Sequence, residues 1–123
     1  MHDSSSVFVI DDDEAAADSI EALMESEGFS TRVFNSAEQY LSDCDTPTPS
    51  CLIVDVRLPR VSGLELQEML IARDVCIPII FVSGHADETL KQRALKNGAV
   101  DFLEKPFPGA QLTATVRRII GSS

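Results

Sequence analysis

The chain has 123 residues, of which 44% are hydrophobic and 24% charged, so it is expected to form one domain, 1–123, with a buried core over about 7–120. Its 20 acidic and 10 basic residues give a formal charge of −10, which argues against a nucleic-acid surface and against docking on an anionic membrane. The apolar runs are far shorter than the roughly 20 residues that cross a bilayer, and the polar start lacks the features of a signal peptide, so we expect a soluble protein.

Strand-like and helix-like patterns alternate along the chain. The predicted strands are residues 7–10, 31–34, 51–54, 79–82 and 100–103. Each is followed by a stretch with helical spacing: the first ends at Gly28, the second is capped by Asn35 or Ser36, and the fourth covers about 87–97. The third follows Gly63, and the last carries Leu112 and Val116 on one face.

Five strand–helix pairs predict an α/β protein with a doubly wound parallel sheet. The first, third and fourth strands are continuously apolar, which is typical of central strands buried on both faces. The second and fifth contain or adjoin Arg32, Asp101 and Glu104 and are predicted to be edges. The flavodoxin-like order 2-1-3-4-5 has these two strands at its edges.

Ligands of such sheets bind at the carboxyl ends of the strands, near the switch point between strands one and three. The residues that follow the predicted strands are Asp11, Asp12, Asp13, Asp55, Ser83 and Lys105. Clustered carboxylates repel one another unless a cation shares the site, and oxygen ligands suit Mg²⁺. A nearby lysine favours an anionic group such as phosphoryl, and a strand-end carboxylate can act as the nucleophile. Asp55, on a central strand, is the candidate.

Each of these residues has an ordinary structural explanation when it is taken alone. Acidic residues between a strand and a helix are frequent caps, which would explain Asp11 to Asp13. Asp55 and Ser83 can begin turns, and Lys105 can simply end a strand before Pro106. The functional hypothesis depends on their convergence from different strand ends.

The ordered set resembles the receiver domain of a two-component response regulator over about 7–120. Its motifs are the acidic pair Asp11-Asp12, Asp55-x-x-x-Pro59-x-x-x-Gly63, Ser83 after strand four, and Lys105-Pro106. The segments 55–59 and 98–107 further resemble the FixJ-like branch of that family. The resemblance implies a phosphoacceptor signalling domain, with self-phosphorylation and autodephosphorylation as its only chemistry, rather than a classical enzyme.

The resemblance also implies roles for single residues. Asp55 would take the phosphoryl group from the phosphohistidine of a sensor kinase, and Mg²⁺ would be held by Asp11, Asp12, Asp55 and the backbone carbonyl of Arg57. Lys105 would pair with the phosphoryl group. Ser83 would hydrogen-bond to it, and Phe102 stands at the aromatic switch position.

Several of these positions keep an alternative. Phe102 is either a ring that rotates inward on activation or an ordinary half-buried aromatic of an edge strand. Arg57 and His85 stand where the family tunes hydrolysis of the acyl phosphate, and Arg57 either shields the phosphoryl group or lies in solvent. Asp13 either caps the first helix or contacts a metal-bound water. Ala17 replaces an arginine frequent in FixJ-like sequences, which bears on surface contacts.

FixJ-like regulators continue into a helix-turn-helix DNA-binding domain, whereas this sequence stops after the fifth predicted helix. We therefore expect either an excised receiver or a stand-alone regulator, with no direct DNA binding by this chain. Phosphorylation is expected to change the face made by the fourth helix, fifth strand and fifth helix, and to favour a homodimer there. The downstream output is expected to be transcriptional.

Three other functions were weighed. A haloacid-dehalogenase-type phosphatase needs a second Asp two residues after its nucleophile, where this chain has Arg57. A flavin or dinucleotide carrier needs a phosphate-binding loop after strand one, and the acidic run there would repel phosphates. A degenerate receiver that binds partners without phosphorylation stays open.

Cysteine usage predicts a reducing cytoplasm. Cys44, Cys51 and Cys76 are odd in number and widely spaced, which argues against a disulfide scaffold or a zinc site. Cys51 and Cys76 have apolar neighbours and are predicted to be buried as small hydrophobic residues.

Overall fold

The structure is a computed structural model that describes residues 6–43, 48–85 and 88–121. Its strands are β1 (Ser6–Ile10), β2 (Ser30–Phe34), β3 (Cys51–Asp55), β4 (Ile79–Ser83) and β5 (Asp101–Glu104). Its helices are α1 (Glu14–Ser26), α2 (Ala37–Ser42), α3 (Gly63–Ala72), α4 (Glu88–Lys96) and α5 (Gly109–Ile120). In this part of the chain, no helix is long and apolar enough to span a membrane.

The strands form one parallel sheet in the order β2-β1-β3-β4-β5. The predicted topology is therefore confirmed, and β2 and β5, the strands predicted to be edges, are the edges. The fifth strand begins and ends one residue later than predicted, and β3 and β4 extend through Asp55 and Ser83. These two polar residues are consequently the last residues of their strands rather than the first of the following loops.

The sheet has an apolar core on each face, because successive side chains of a strand point to opposite sides. On one face Phe8, Leu52 and Phe81 pack with residues of α2, α3 and α4. On the other face Val9 and Ile53 pack with residues of α1 and α5. The layers hold the carboxyl ends of the central strands at one edge of the sheet.

One cysteine prediction is correct and one is wrong. Cys51 is fully buried in β3, and burial raises the pKa of its thiol to about 12. Cys76 is exposed, because Val75 and Ile77 on either side of it are the residues that pack against the core. Cys44, and Asp87 at the predicted start of the fourth helix, lie outside the described residues.

Candidate functional site

Three carboxylates converge at the carboxyl edge of the sheet. Asp11 directly follows β1, Asp12 is next along the chain, and Asp55 ends β3. One carboxylate oxygen from each lies within 4.8 Å of the others. Asp11 is buried, Asp55 is 9% exposed and Asp12 is exposed, so the cluster opens to solvent on one side. An all-oxygen donor set with open positions fits Mg²⁺, which binds through one or two carboxylates and retains several waters.

Lys105, the residue directly after β5, joins this cluster. Its Nζ donates to Asp11 Oδ2 at 2.9 Å and to Asp55 Oδ2 at 3.3 Å. The Lys105 side chain is 23% exposed, whereas that of Asp11 is 1% exposed. The predicted convergence of a lysine on two strand-end carboxylates is thus observed, and the cation lies beside both.

The environment raises the pKa of Asp11 and of Lys105. Burial raises the pKa of the Asp11 carboxyl and the charge of Asp55 adds to this, which outweighs hydrogen bonds from the Asp13 amide and Lys105. Burial acts to lower the pKa of Lys105, but its hydrogen bonds with Asp11 and Asp55 and their charges outweigh this and raise it. The lysine is therefore a fixed positive charge at neutral pH.

Backbone amides orient the two inner carboxylates. The Asp13 N–H donates to Asp11 Oδ1 at 2.9 Å, and the Arg57 N–H donates to Asp55 Oδ1 at 2.9 Å. Sequence reasoning did not identify either amide as part of the site. The signal was available, because an aspartate side chain frequently accepts from the backbone two residues onward. Each carboxylate thus has one oxygen held by the backbone and the other facing Lys105.

Asp13 is a helix cap. Its carboxylate accepts from the amides of Ala15 and Ala16 at 3.0 and 3.3 Å, at the N-terminus of α1. The capping explanation weighed for the acidic run is therefore correct for Asp13. For Asp11 and Asp12 it does not apply, since their carboxylates belong to the cluster at the sheet edge.

Ser83 lies at the same edge but is bonded within its own loop. Its side chain is fully buried, with Oγ donating to the His85 carbonyl at 2.8 Å and accepting from the His85 N–H at 3.2 Å. The turn expected for Ser83-Gly84 is thus observed, while the hydroxyl makes no hydrogen bond to the carboxylate cluster among the described residues. For Ser83 to donate to a ligand, its hydroxyl must give up the bond to the His85 carbonyl, because it has one O–H donor.

Phe102 is buried, 8% exposed, rather than half-buried. Its ring centroid lies 6.4 Å from that of Phe81, with the planes at 45°. Phe81 is fully buried in the neighbouring strand β4, where it is the residue paired with Phe102 in the sheet register. The aromatic ring of the edge strand is therefore already packed inward.

Comparisons with known proteins agree with this geometry. The response regulator receiver domain family model matches residues 7–117. The chain is 42% identical over 118 residues to the response regulator protein TodT of Pseudomonas putida strain F1, covering 95% of this chain and 52% of TodT. It is 44% identical over 124 residues to the transcriptional regulatory protein FixJ of Azorhizobium caulinodans, covering 100% of this chain and 58% of FixJ.

Solved structures give the same result. The crystal structure of FixJ-N superposes with a TM-score of 0.87 at 33% identity, covering 100% of this chain and 98% of that one. Full-length FixJ from B. japonicum superposes with a TM-score of 0.87 at 40% identity, covering 94% of this chain and 57% of that one. The present chain spans about half the length of the curated relatives that it matches.

Proposed function

The chain belongs to the response regulator receiver domain family of two-component systems, in its FixJ-like part, and we propose that it signals by accepting a phosphoryl group on Asp55. The observation that carries the proposal is the contact of Lys105 with Asp11 and Asp55 beside Asp12. A haloacid-dehalogenase-type phosphatase and a flavin or dinucleotide carrier would belong to other protein families. The degenerate receiver is the alternative that the experiment below decides.

In the proposed reaction a sensor histidine kinase is the donor. A carboxylate oxygen of Asp55 attacks the phosphorus of the phosphohistidine, the new P–O bond forms, the P–N bond breaks, and the imidazole nitrogen takes up a proton. Lys105 lies beside the acceptor, so its ammonium can stabilise negative charge on the transferred group. Water later cleaves the acyl phosphate and returns the carboxylate.

Asp11, Asp12, Asp55 and the backbone carbonyl of Arg57 are the proposed Mg²⁺ ligands. When bound, Mg²⁺ supplies positive charge that offsets the charge on the phosphoryl oxygens during transfer. The buried Asp11 is suited to this role because its backbone bond to the Asp13 amide leaves Oδ2 directed at the cluster. The exposed Asp12 provides a ligand on the solvent side.

The proposed switch residues are Ser83, which changes a hydrogen bond, and Phe102, whose ring is already packed inward. Ser83 Oγ would exchange its bond to the His85 carbonyl for a bond to the phosphoryl group, which would draw the β4–α4 loop inward. Phe102 would stay packed inward in the active state. It has no phenol hydroxyl, so the signal to a partner would be carried by packing rather than by a hydrogen bond.

The proposed partners follow from the family. A sensor histidine kinase donates the phosphoryl group, and the face of α4, β5 and α5 forms a homodimer in the phosphorylated protein. Several relatives are named as transcriptional regulators, so the proposed output is transcriptional and the proposed location is the cytoplasm. The charge of −10 makes direct DNA contact by these 123 residues unfavourable.

The test is phosphorylation by a small donor. The protein is incubated with acetyl phosphate and Mg²⁺, and intact mass spectrometry is used to look for one added phosphoryl group. We expect the addition in the wild type, its loss on chelation of Mg²⁺, and its loss in Asp55→Asn. Asp18→Asn, an exposed carboxylate of α1, is the matched control and should be phosphorylated normally. No addition to the wild type refutes the assignment and favours the degenerate receiver. Equal addition to Asp55→Asn also refutes the assignment, because the phosphoryl group is then on another residue.

Dimer formation is tested separately by sedimentation. The mass in solution is measured with Mg²⁺ alone and with Mg²⁺ plus beryllofluoride as the phosphoryl mimic. We expect a shift toward the dimer with the mimic. An unchanged monomer mass would remove the dimer from the proposal and leave the phosphoacceptor role standing.

A further inference from the structure

Gly63, the first residue of α3, lies against the backbone that carries Asp55. A Cβ placed on Gly63 would lie 2.7 Å from the Asp55 carbonyl oxygen and 2.8 Å from Val56 Cα. It would also lie 3.0 Å from Cε1 of Phe81, which is fully buried. Non-bonded carbon atoms are most favourable at about 3.5–4.0 Å, so a side chain here would displace either α3 or the end of β3.

A hydrogen bond also joins Gly63 to the backbone that follows β3. The Gly63 N–H donates to the Val56 carbonyl at 3.1 Å, so the start of α3 is tied to the residue after the proposed phosphoacceptor. The Val56 N–H in turn donates to the Val82 carbonyl of β4 at 2.9 Å. Val56 is therefore held between a helix terminus on one side and the sheet on the other.

The position of Val56 determines where the Asp55 carboxylate can be. Val56 stands between Asp55 and Arg57, and the Arg57 N–H holds Asp55 Oδ1 at 2.9 Å. The other oxygen, Oδ2, lies 3.3 Å from Lys105 Nζ. A displacement of the Val56 backbone would move the Arg57 amide, and with it the carboxylate oxygen that the amide orients.

We propose that Gly63 is a positioning residue for the phosphoacceptor. Because Gly63 has no side chain, α3 can pack directly on the Asp55–Val56 backbone. This packing holds the Asp55 carboxylate in place beside Asp11, Asp12 and Lys105. This inference rests on the proposed function, because it assigns Gly63 to the same reaction. Protein interiors are close-packed and transmit small displacements, which is why a single methyl group at this point would reach the site.

The experiment compares three substitutions. Gly63→Ala is the test. Gly109→Ala is the matched control, because Gly109 is also the first residue of a helix and its Cβ would meet the flexible Leu23 side chain, at 3.3 Å, rather than backbone. Ser62→Ala is the stability control, because it removes the capping box at the same end of α3 without adding an atom near Asp55.

The readouts are the Mg²⁺ dissociation constant by calorimetry and the rate of phosphorylation by acetyl phosphate. For Gly63→Ala we expect Mg²⁺ affinity to fall about 10-fold, as for other residues that orient metal ligands, and the rate to fall at least about 10-fold. The amide proton of Arg57 should also lose the chemical shift of a carboxylate hydrogen bond. Both controls should stay within about twofold of the wild type. Gly63→Ala with wild-type affinity, rate and Arg57 shift would overturn the inference, as would equal losses in Ser62→Ala.

A second measurement uses the wild type and does not depend on the variant folding. If the packing of α3 on Val56 and the geometry of the site are coupled, an occupied site must favour that packing, and we expect the Gly63–Val56 hydrogen bond to open less often. Exchange of the Gly63 amide should slow several-fold with Mg²⁺ and beryllofluoride, and by more than that of Leu66, whose amide bonds to Ser62 within α3. Equal slowing at both amides would overturn the inference.

Failure of the two proposals is distinguishable. A wild type that gains no phosphoryl group refutes the phosphoacceptor role, and Gly63 is then judged on Mg²⁺ affinity alone. If Gly63→Ala is phosphorylated at the same rate as the wild type, the positioning role is refuted and Asp55 remains the acceptor.

Discussion

Lys105 Nζ, after the last strand, donates a 2.9 Å hydrogen bond to Oδ2 of Asp11, which directly follows the first strand. The contact joins residues 94 positions apart across the switch point of the sheet. It places the positive charge of Lys105 beside the carboxylate of Asp11, whose side chain is 1% exposed. The same ammonium reaches Asp55 at 3.3 Å, so it holds two carboxylates that would otherwise repel each other.

Removing the Lys105 ammonium should destabilise the protein in the absence of Mg²⁺, by an amount that depends on pH. Lys105→Met leaves Asp11 buried without its ion-pair partner, and we expect the free energy of unfolding at pH 7 to fall by about 1–3 kcal/mol. The pKa of folded Asp11 is raised above 3.8, so its stabilising contribution is complete below 3.8 and is lost as pH rises through the folded value. Without Lys105 that pKa rises further, so the deficit should be largest at pH 7 and shrink toward pH 4.

The measurement is urea unfolding of wild type and variant in chelator at several pH values. The pKa of Lys105 is raised above 10.5, so its own contribution is intact below 10.5 and does not change in this window. Lys96→Met, at an exposed residue of α4, is the control and should change stability by less than about 0.5 kcal/mol. A Lys105→Met deficit that is the same at pH 4 and pH 7 would contradict the assignment to Asp11.

Mg²⁺ should stabilise the folded protein through the carboxylate cluster. At a concentration one hundred times its dissociation constant, it should add about 2.7 kcal/mol to the free energy of unfolding. Asp12→Asn removes the exposed ligand and should lose most of this gain at the same Mg²⁺ concentration, whereas Asp18→Asn should keep it. Thermal unfolding with and without chelator measures the difference. Equal stabilisation of wild type and Asp12→Asn would place the cation elsewhere.

The two described cysteines should differ in reactivity. In a Cys44→Ser background at pH 8, an aromatic disulfide reagent should modify Cys76 rapidly and Cys51 only on unfolding. Cys51 is fully buried and its thiol has a pKa of about 12, so about one molecule in 10⁴ is a thiolate at pH 8. The absorbance of the aromatic thiolate that the reagent releases gives the number of cysteines modified. Replacing Cys76 by Ser should abolish the native reaction, and rapid labelling that persists in that variant would show that Cys51 is accessible.

Arg117 should tie α5 to the end of α1. Its guanidinium donates to Glu27 Oε1 at 2.7 Å and lies 5.3 Å from the Phe29 ring centroid. Both ion-pair partners are partly exposed, so the ion pair and the cation–π contact together should contribute about 1 kcal/mol. Arg117→Ala should lower the unfolding free energy by that amount in urea. The neighbouring exposed Arg118→Ala is the control, and an equal loss there would mean that general charge, not this contact, is responsible.

The sheet order could be predicted because local patterns carry it. Runs that are apolar throughout are typical of central strands buried on both faces, whereas Arg32 and Asp101 within the second and fifth runs indicate edge strands. The residues of the site could be predicted for a related reason. In a parallel sheet the ends of the strands share one edge, so residues placed directly after strands are brought together by topology alone.

Contacts that depend on the distance between elements could not be predicted in this way. Cys76 adjoins apolar residues in the sequence but faces solvent, because which of three consecutive residues packs inward depends on the backbone path of the link between α3 and β4. Asp13 and Asp11 are two residues apart and have the same side chain. One caps α1 and the other joins the cluster, because only the backbone path determines which carboxylate faces the helix amides.

By itself, then, the sequence determined the fold class, the strand order and which strand-end residues meet at the carboxyl edge of the sheet, since these follow from hydrophobic periodicity and from position relative to strand ends. Tertiary structure decided the pairing of Lys105 with Asp11, the bonding of Ser83 within its own loop and the approach of Gly63 to the backbone at Asp55. Each of these depends on ångström-scale distances between elements, which arise only when side chains of different elements pack against one another.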